Sequence, residues 1–296
     1  TIVIVTYNSS QVIANCLKAI DLDRYDVIVV DNASTDETAR IIEKFSPIKL
    51  IKLDKNVGYG NGNNAGLEQV NTDFALVLNP DAQISSEAIE EVLAVMKEDE
   101  SIAIAAPPNL KDISLSQDEL KLRLQEMEKK FVEKNQSSFE KIGKNYSVKF
   151  LVGAVVFLRM SIFRKIGFYD KNIFLYYEDD EICDRVIRNG YKNVLVPYVA
   201  AFHIPGTSSK ASARMTYKKG WHLKGWSKLY WKKIKKGDRY AKLYALKLIP
   251  FLLLKVITSA LRFNQTKIIS YSGALAGSFA FLIGLGAFKD NGEQRG

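Results

Sequence analysis

Residues 1–8 read TIVIVTYN and residues 26–32 read DVIVVDN, and together they decide the fold class. Each begins with a run of β-branched residues and ends in a polar turn, which is typical of a buried strand. Residues 11–20 between them place apolar side chains at helical spacing, so the segment predicts a strand, a helix and a parallel strand. No basic segment precedes the first run and no small-residue cleavage site follows it, so we expect a strand there and not a signal peptide.

The alternation of strands and helices continues to about residue 110. We predict further strands at 48–53, 74–78 and 102–106, and helices at 38–45, 64–70 and 87–96. Residues 34–37, STDE, have the pattern of a capping box before the helix at 38. These units predict an α/β fold with a mostly parallel sheet flanked by helices, in which ligands bind at the carboxyl ends of the strands.

The middle of the chain extends this plan. Residues 112–141 are highly charged and predict a surface helix or a helical hairpin. Later segments predict strands at 150–158 and 194–203 and helices at 161–167 and 177–189. We therefore expect one α/β domain over residues 1–210, with halves at about 1–110 and 145–210.

The net charge of +9 is concentrated near the carboxyl terminus. Residues 210–267 contain 16 of the 42 Lys and Arg residues and one acid, Asp238. Tryptophan and tyrosine are interleaved with these lysines from Trp221 to Tyr244. Evenly spread positive charge would indicate nucleic acid, whereas basic and aromatic residues beside apolar runs favour an anionic membrane surface. We therefore expect a membrane partner and no nucleic acid, with the aromatic residues and His222 at the membrane interface.

Two apolar stretches, 246–261 and 268–288, complete this region. The second is 21 residues long and uncharged, which is enough to span a bilayer, but it is rich in Gly, Ser and Ala. We favour helices that lie in the membrane interface or form a hairpin. A true span and a soluble packing helix are the alternatives. Residues 211–296 are thus predicted to form a basic, amphipathic, helical membrane-associating region.

The turn Asn79-Pro80-Asp81 is the first candidate for chemistry. It follows a predicted buried strand, so the carboxylate lies where ligands bind in such sheets. One aspartate there can hold Mg²⁺ or Mn²⁺ if the phosphates of a nucleotide supply the remaining oxygens. The alternative is a proline-stabilised turn in which Asp81 caps the next helix.

Four consecutive acids at 178–181 are the second candidate. They follow the aromatic run 174–177, and an apolar approach raises the pKa of a carboxylate, as a general base requires. The alternative is that they complement the dipole of a helix N-terminus. His203 ends a predicted strand and, taken alone, is more typical of a structural histidine than of a ligand.

Residues 56–66 read NVGYGNGNNAG. Such a segment permits close backbone approach to a ligand and opens a helix whose N-terminus attracts phosphate. Gly60 to Ala65 also match the loose G-x-G-x-x-A dinucleotide pattern. We interpret that match as a coincidence, because the pattern belongs after the first strand, where this chain has the glycine-free turn 6–10.

Several segments occur in a fixed order: VTYN (5–8), VDNASTD (30–36), the segment 56–64, NPDA (79–82), Gly153-Ala154, GFYD (167–170), FLYYED (174–179) and His203. In this order they resemble the family 2 inverting glycosyltransferases of GT-A fold, over about residues 1–205. The NPD variant and the lysine-rich tail are most similar to the bacterial rhamnosyltransferase subgroup that builds cell-wall and surface polysaccharide.

The resemblance implies a role for each matching residue. Nucleobase and ribose would be held by Thr6, Tyr7, Asn8 and Asp31, and the nucleotide-sugar pocket would be lined by Asn56, Gly58, Asn63 and Asn79. Asp81 matches the last acid of the family's DXD motif and His203 a downstream metal ligand, so both would bind Mg²⁺ or Mn²⁺. Asp179 matches the general base, and Glu178 would orient the acceptor. Asn79 departs from the motif, and because an amide lacks charge we expect weaker metal binding that depends more on the diphosphate and His203.

The resemblance therefore implies an inverting, metal-dependent hexosyltransferase. The donor would be a dTDP- or UDP-sugar, with dTDP-rhamnose implied by the subgroup. The acceptor would be a lipid-diphosphate-linked or growing polysaccharide at the cytoplasmic face of the cell membrane. The half at 1–110 would bind the nucleotide-sugar and the half at 145–210 the acceptor.

Two other functions stay open. A catalytically weak nucleotide-sugar-binding scaffold subunit has some support from Asn79, whereas Asp179 and His203 count against it. A soluble nucleotidyltransferase would carry a basic, glycine-rich turn after the first strand, which this chain lacks. A homo-oligomer is compatible with the sequence.

Overall fold

The computed structural model describes residues 1–135, 138–204, 212–289 and 292–295. The chain forms two compact units that do not follow its order. The first contains Thr1–Asp54, Gly62–Tyr169 and Ile182–Ser209, and the second contains Lys55–Asn61, Asp170–Glu181 and Lys210–Gly296. The predicted domain boundary at residue 210 lies outside the described residues.

The first unit holds the strands of the described residues. In chain order they are β1 (Ile2–Thr6), β2 (Val27–Asp31), β3 (Lys49–Lys52), β4 (Phe74–Leu78), β5 (Ala82–Ile84), β6 (Ile102–Ala106), β7 (Asn109–Leu110), β8 (Phe139–Ile142), β9 (Asn145–Val148), β10 (Val155–Arg159), β11 (Lys192–Leu195) and β12 (Ala201–His203). Nine of these described strands form one sheet in the order β3-β2-β1-β4-β10-β6-β11-β9-β8, and the order β5-β12-β7 gives a second sheet.

The large sheet is mixed. Its strands β3, β2, β1 and β4 are parallel, as the predicted strand–helix–strand units require. Strand β10 lies between β4 and β6 and runs antiparallel to both. The predicted α/β fold is confirmed, but among the described pairs the parallel arrangement is limited to these four strands and to β6 with β11 in this sheet.

Three predicted strands, β1, β4 and β6, have the predicted bounds. The prediction of one strand over 194–203 is wrong, because β11 ends at Leu195 and β12 begins at Ala201. Pro197 lies between them, and proline cannot donate a hydrogen bond to a strand ladder. The chain leaves the large sheet there, and β12 pairs antiparallel with β5.

The helices before residue 204 are α1 (Ile13–Lys18), α2 (Thr38–Ile42), α3 (Tyr59–Leu67), α4 (Ser86–Glu98), α5 (Gln117–Asn135), α6 (Met160–Ile166) and α7 (Glu178–Arg188). Helix α3 begins at Tyr59, earlier than the predicted residue 64. Two of its glycines meet β1: a Cβ atom on Gly62 would lie 2.7 Å from Cγ1 of Val5, and one on Gly66 would overlap Val3. These glycines therefore let the helix pack closely on the strand.

The predicted capping box at residues 34–37 is wrong. The N-cap of α2 is Glu37, which makes no side-chain cap bond within the described chain. The backbone N–H of Thr38 donates instead to Oδ1 of Asp36 at 3.0 Å. Asp36, one position before the N-cap, thus accepts a hydrogen bond from a backbone N–H at the start of the helix.

The charged segment 112–141 forms one helix, α5, followed by strand β8, and the helical hairpin is not observed over the described residues. Strand β8 pairs with β9. The rings of Phe139 and Tyr146 meet edge to face at 5.0 Å, and both contact Phe131 of α5. The aromatic contacts between β8 and β9 stabilise a β-hairpin where a second helix was the alternative.

The second unit is helical. It contains α8 (Ala213–Lys219), a π-helical turn (Gly220–Gly225), α9 (Trp226–Lys236), α10 (Asp238–Leu261) and α11 (Gln265–Leu282). Helix α11 packs against the π-helical turn backbone to backbone. A Cβ atom on Gly277 would lie 2.5 Å from the carbonyl oxygen of Trp221, and one on Gly225 would lie 2.6 Å from that of Ala274. The glycine-rich apolar run thus serves close helix packing.

Several aromatic residues that were predicted at a membrane interface form the core of the second unit. Trp221 and Trp226 are each 3% exposed, and their rings stack at 6.0 Å. His222, which lies between these two residues in the sequence, is also completely buried. The prediction that these three residues lie at a membrane interface is therefore wrong. The close contacts of Gly225 and Gly277 let α11 pack directly on the π-helical turn, so the side chains of the turn are buried.

Helix α10 has one buried and one exposed apolar face. Its buried residues include Ala241, Ala245, Ile249 and Leu252. The apolar face of α10 consists of exposed residues at helical spacing, namely Leu243, Leu246, Leu254, Ile257 and Leu261. By length and composition α10 could cross a membrane, and only 22% of its most apolar 18-residue stretch is buried. Among the described helices the candidate span is therefore α10, and not the run 268–288, for which a span was an alternative to the favoured interfacial or hairpin helices.

Candidate nucleotide and metal site

Thr6 and Asp31 end the two central parallel strands, and the register pairs them directly. The hydroxyl of Thr6 donates to Oδ1 of Asp31 at 3.3 Å, and both side chains are buried. The bond orients a carboxylate at the carboxyl edge of the sheet. This is the edge at which ligands bind in α/β sheets.

Asn8 joins the first two turns at this edge. Its backbone lies in the left-handed region at φ 53°, which asparagine tolerates. Its N–H donates to Oγ of Ser34 at 2.9 Å, and its Oδ1 accepts from the N–H of Thr35 at 2.8 Å. Tyr7, which precedes it, is half-buried, and its N–H donates to Oγ of Ser9. The polar turns after β1 and β2 are thus fixed to each other.

Asp81 and His203 lie next to each other. Asp81 directly precedes β5, and the β5–β12 register places His203 opposite Ala82. Nε2 of His203 is 3.2 Å from Oδ1 of Asp81, and the side chains are 13% and 3% exposed, respectively. The structure therefore brings together a carboxylate and an imidazole that are far apart in sequence.

The chemistry of these groups fits a divalent ion that a nucleotide helps to bind. Within the described residues, no group of three His, Cys, Asp or Glu side chains could hold a metal by itself. Oδ1 of Asn79 is buried and finds no hydrogen-bond partner in the described part of the chain. One carboxylate, one imidazole and one amide oxygen leave coordination positions for diphosphate oxygens and water, as is common for Mg²⁺.

The glycine- and asparagine-rich segment is divided between the units. In the second unit, Oδ1 of Asn56 accepts from the N–H of Gly58 at 3.0 Å. Gly58 has φ 90°, and a Cβ atom there would overlap the carbonyl oxygen of Phe174. In the first unit, Asn63 is fully buried. At Gly58, both the backbone conformation and the nearby carbonyl therefore favour glycine.

Asn64 was missed by the sequence analysis. Its side chain exchanges two hydrogen bonds of 2.9 Å with the backbone of Tyr169, once as donor and once as acceptor. The amide pair ties α3 to the GFYD segment. The sequence could have indicated Asn64 because it directly follows Asn63, but the family resemblance implied a role for Asn63 only.

Glu178 and Asp179 begin α7 and belong to the second unit. Glu178 is 8% exposed, and its Oε2 has no hydrogen-bond partner among the described residues. Burial raises the pKa of Glu178 to about 8, and the charge of Asp179 adds to the effect. At neutral pH this carboxyl is therefore mostly protonated and able to donate a hydrogen bond.

His222 and Ser227 also contact the segment before Glu178, and the sequence analysis gave neither a role there. Oγ of Ser227 donates to the carbonyl oxygen of Leu175 at 2.9 Å. Nδ1 of His222 lies 3.2 Å from the same Oγ. The only signal was the pair of glycines, Gly220 and Gly225, that encloses His222.

Sequence relatives of this chain include named glycosyltransferases. The low-salt glycan biosynthesis hexosyltransferase Agl10 of Haloferax volcanii is 28% identical over 217 residues, which cover 69% of this chain and 66% of that protein. The rhamnosyltransferase WbbL of Escherichia coli is 24% identical over 75% of this chain and 89% of its own length. The poly(ribitol-phosphate) β-N-acetylglucosaminyltransferase TarS of Staphylococcus aureus is 31% identical over 34% of this chain, which spans only 19% of TarS.

Solved structures support the fold. The mannosyltransferase PcManGT of Pyrobaculum calidifontis, solved with GDP-Man and Mn²⁺, has a TM-score of 0.55 at 13% identity, over 96% of this chain and 86% of that one. Residues 1–349 of S. aureus TarS have a TM-score of 0.53 at 14% identity, over 96% and 91% of the two chains. At these identities the likeness concerns the fold alone.

One family model extends over more than half of the chain. The model described as glycosyl transferase family 2 matches residues 1–167. The matched part contains β1, β2, the turn at Asn79 and the edge strand β5. The chain belongs to glycosyl transferase family 2.

Proposed function

We propose that this protein transfers a sugar from a metal-bound nucleotide diphosphate to an acceptor hydroxyl, with inversion at the anomeric carbon, in the synthesis of a glycan or cell-wall polysaccharide. The observation that carries the proposal is the pairing of Asp81 with His203, at 3.2 Å, in a chain of a glycosyltransferase family. The chain spans 66% of Agl10, so the activity of that whole protein supports this proposal only by analogy.

The first strands supply the donor side. Thr6, Tyr7, Asn8 and Asp31 hold the nucleoside at the carboxyl edge of β1 and β2. Asn56, Gly58, Asn63 and Asn79 line the nucleotide-sugar pocket. Asp81 and His203 would hold Mg²⁺ or Mn²⁺, which when bound would supply positive charge against the diphosphate. Oδ1 of Asn79 is buried and has no hydrogen-bond partner among the described residues, which is unfavourable unless a ligand binds there. This supports the role of Asn79 in the nucleotide-sugar pocket.

The acidic segment supplies the acceptor side. Asp179 takes the proton from an acceptor hydroxyl as a general base. The acceptor oxygen attacks the anomeric carbon from the face opposite the diphosphate, whose bond to that carbon breaks, so the configuration inverts. Glu178, mostly protonated at neutral pH because of its raised pKa, donates a hydrogen bond that orients the acceptor. One base is sufficient, and no covalent intermediate forms.

The second unit supplies contact with an anionic membrane surface. The apolar face of α10 is exposed: Leu254, Ile257 and Leu261 are 57%, 56% and 74% exposed. Phe263, just beyond the helix, is 90% exposed. Arg262 follows α10 directly and Lys267 lies in the first turn of α11, and each would attract anionic lipid by about 1 kcal/mol at best. An acceptor linked to a lipid diphosphate at the cytoplasmic face would then be within the protein's reach.

The proposed donor is dTDP-rhamnose, with a UDP-sugar as the alternative. The similarity to the rhamnosyltransferase WbbL over 89% of its length supports the first. The likeness to TarS, which has been solved with UDP-GlcNAc, supports the second.

The decisive experiment measures nucleoside diphosphate release from dTDP-rhamnose and UDP-GlcNAc with Mn²⁺, Mg²⁺ or EDTA. We expect metal-dependent release from one donor. Asp179→Asn should lower transfer at least about 100-fold and leave nucleotide binding intact, since general-base catalysis contributes roughly 10²–10⁴-fold. Asp118→Asn, at an exposed position of α5, is the matched control and should keep full turnover. No release with any metal, or full turnover by Asp179→Asn, would overturn the proposal.

A further inference from the structure

The segment before the acidic residues has an unfavourable backbone. Tyr176 and Tyr177 both lie in the left-handed region, at φ 65° and 72°. Large side chains rarely adopt this conformation, and such residues persist only where the surrounding structure holds them. Glu178 and Asp179 follow directly, so the direction in which α7 begins depends on whatever holds this segment.

A hydrogen-bonded chain from the π-helical turn reaches the segment. Oγ of Ser227 lies 2.9 Å from the carbonyl oxygen of Leu175, which can only accept, so Ser227 uses its single proton there. Nδ1 of His222, 3.2 Å from the same Oγ, must therefore be the donor. His222 is thus the neutral tautomer with its proton on Nδ1. Burial lowers the pKa of His222 to about 3, which agrees with a neutral ring.

Three further contacts hold the same segment from within the second unit. The ring of His222 stacks on Phe174 at 5.1 Å. The carbonyl oxygen of Phe174 accepts from the N–H of Tyr59 at 3.2 Å. The hydroxyl of Tyr177 donates to the carbonyl oxygen of Leu223 at 3.3 Å. The two left-handed residues are therefore held on both sides.

We propose that His222 and Ser227 are positioning residues, which fix the carbonyl of Leu175 and thereby the left-handed turn that directs Glu178 and Asp179. The inference rests on the proposed function, in which Asp179 is the general base. It gives the C-terminal helices a role in turnover that is separate from contact with lipid. Both side chains are completely buried, so we expect them to act through the backbone of this segment and not by touching substrate.

Ser227→Ala is the central variant, and the chain offers a matched control. Ser278 is also completely buried in the second unit, and its hydroxyl donates to the carbonyl of Ala274 at 2.8 Å. Ser278→Ala therefore removes a bond of the same kind without touching the acidic segment. For His222, the Asn variant can keep a donor near Nδ1, whereas the Phe variant keeps a ring for stacking and removes the donor.

Turnover, donor KM and nucleotide binding are measured on the full chain with Mn²⁺ and the donor that it uses, well below the melting temperature. We expect Ser227→Ala to lower kcat roughly ten- to hundredfold, because small misplacement of a catalytic group is costly. Donor KM and nucleotide affinity should stay within about twofold, and Ser278→Ala should leave kcat unchanged. His222→Phe should resemble Ser227→Ala, and His222→Asn should recover part of kcat.

A double variant separates this inference from the proposed function. If Asp179 is the base, adding Ser227→Ala to Asp179→Asn should cause little further loss. An unchanged kcat in Ser227→Ala, while Asp179→Asn is inactive, would overturn the inference and leave the proposed function standing. An equal loss of kcat in Ser278→Ala would also overturn it. Full turnover of Asp179→Asn would instead overturn the assignment of the base.

Discussion

Nε2 of His203 lies 3.2 Å from Oδ1 of Asp81 because β12 pairs antiparallel with β5 and sets His203 opposite Ala82. The pairing joins the edge strand β5 to the central strand β12 of a small sheet that was not predicted from the sequence. It also brings together two residues that are far apart in the sequence and that we propose to bind the same ion.

His203→Ala should therefore weaken metal binding. We expect Mn²⁺ affinity in the presence of UDP or dTDP to fall at least about tenfold, equivalent to about 1.4 kcal/mol. Nucleotide binding without metal should not change, because His203 has no proposed contact with the base. Calorimetric titration with Mn²⁺ measures the effect, and an unaltered Mn²⁺ affinity would remove His203 from the proposed ligands.

Glu178 should make stability depend on pH. Its pKa in the folded protein, about 8, is above the ordinary value of 4.5, so the folded state holds a proton that the unfolded state releases between these values. The stabilising contribution is present in full below about pH 4.5 and is lost as the pH rises to about 8, by about 1.4 kcal/mol for each unit of difference in pKa. Glu178→Gln should therefore match the parent at pH 4 and exceed it at pH 8.5.

Urea unfolding at these two pH values measures the free energy of unfolding directly. Glu133→Gln, an exposed position of α5, controls for the loss of one carboxylate. A Glu178→Gln variant whose stability follows that of the parent at both pH values would contradict the buried, protonated state of Glu178.

Gly58→Ala should damage the second unit more than its backbone conformation alone explains. Gly58 and Gly237 have nearly the same φ, 90° and 87°, but a Cβ atom on Gly58 would overlap the carbonyl of Phe174, whereas Gly237 has nothing within 4 Å. Both alanine variants carry the cost of the left-handed backbone, about 1 kcal/mol. The excess loss in Gly58→Ala measures the clash, and equal melting temperatures of the two variants would exclude it.

The apolar face of α10 should bind anionic lipid. Leu254→Asp should weaken binding to phosphatidylglycerol vesicles at least about tenfold, because burying a leucine contributes roughly 1.5–3 kcal/mol and the new charge is repelled. Leu122→Asp is the control, since Leu122 of α5 is 61% exposed and Leu254 is 57% exposed. Vesicle sedimentation at fixed salt measures both. Equal binding by the two variants would show that α10 is not the lipid contact.

Most of the parallel half of the sheet could be predicted because β1, β2 and β4 are almost continuous apolar runs. The strand bounds at Ile2–Thr6, Phe74–Leu78 and Ile102–Ala106 follow from local sequence alone. Strand β10 could be predicted as a strand but not as an antiparallel insertion between β4 and β6, since nothing local encodes a partner. The resemblance gave Asp81 and His203 as a pair, but their separation depends on the register of β5 with β12.

The error over His222 has a different origin. Basic and aromatic neighbours made an interfacial position the natural expectation, and local composition could not reveal the interior. Its burial depends on glycines in the π-helical turn and in α11, which are distant in sequence and meet only in the folded unit. The protonation of Glu178 is equally a property of packing and not of the four acids themselves.

The contacts of Gly277 with Trp221 and of Gly225 with Ala274 limit how this protein can be rebuilt. Helix α11 fixes the turn that carries His222, and that turn contacts the backbone before Glu178. A chimera that joined residues 1–204 to a foreign lipid anchor would therefore reach the bilayer while losing the support of its acidic residues. The C-terminal helices are not an interchangeable tether.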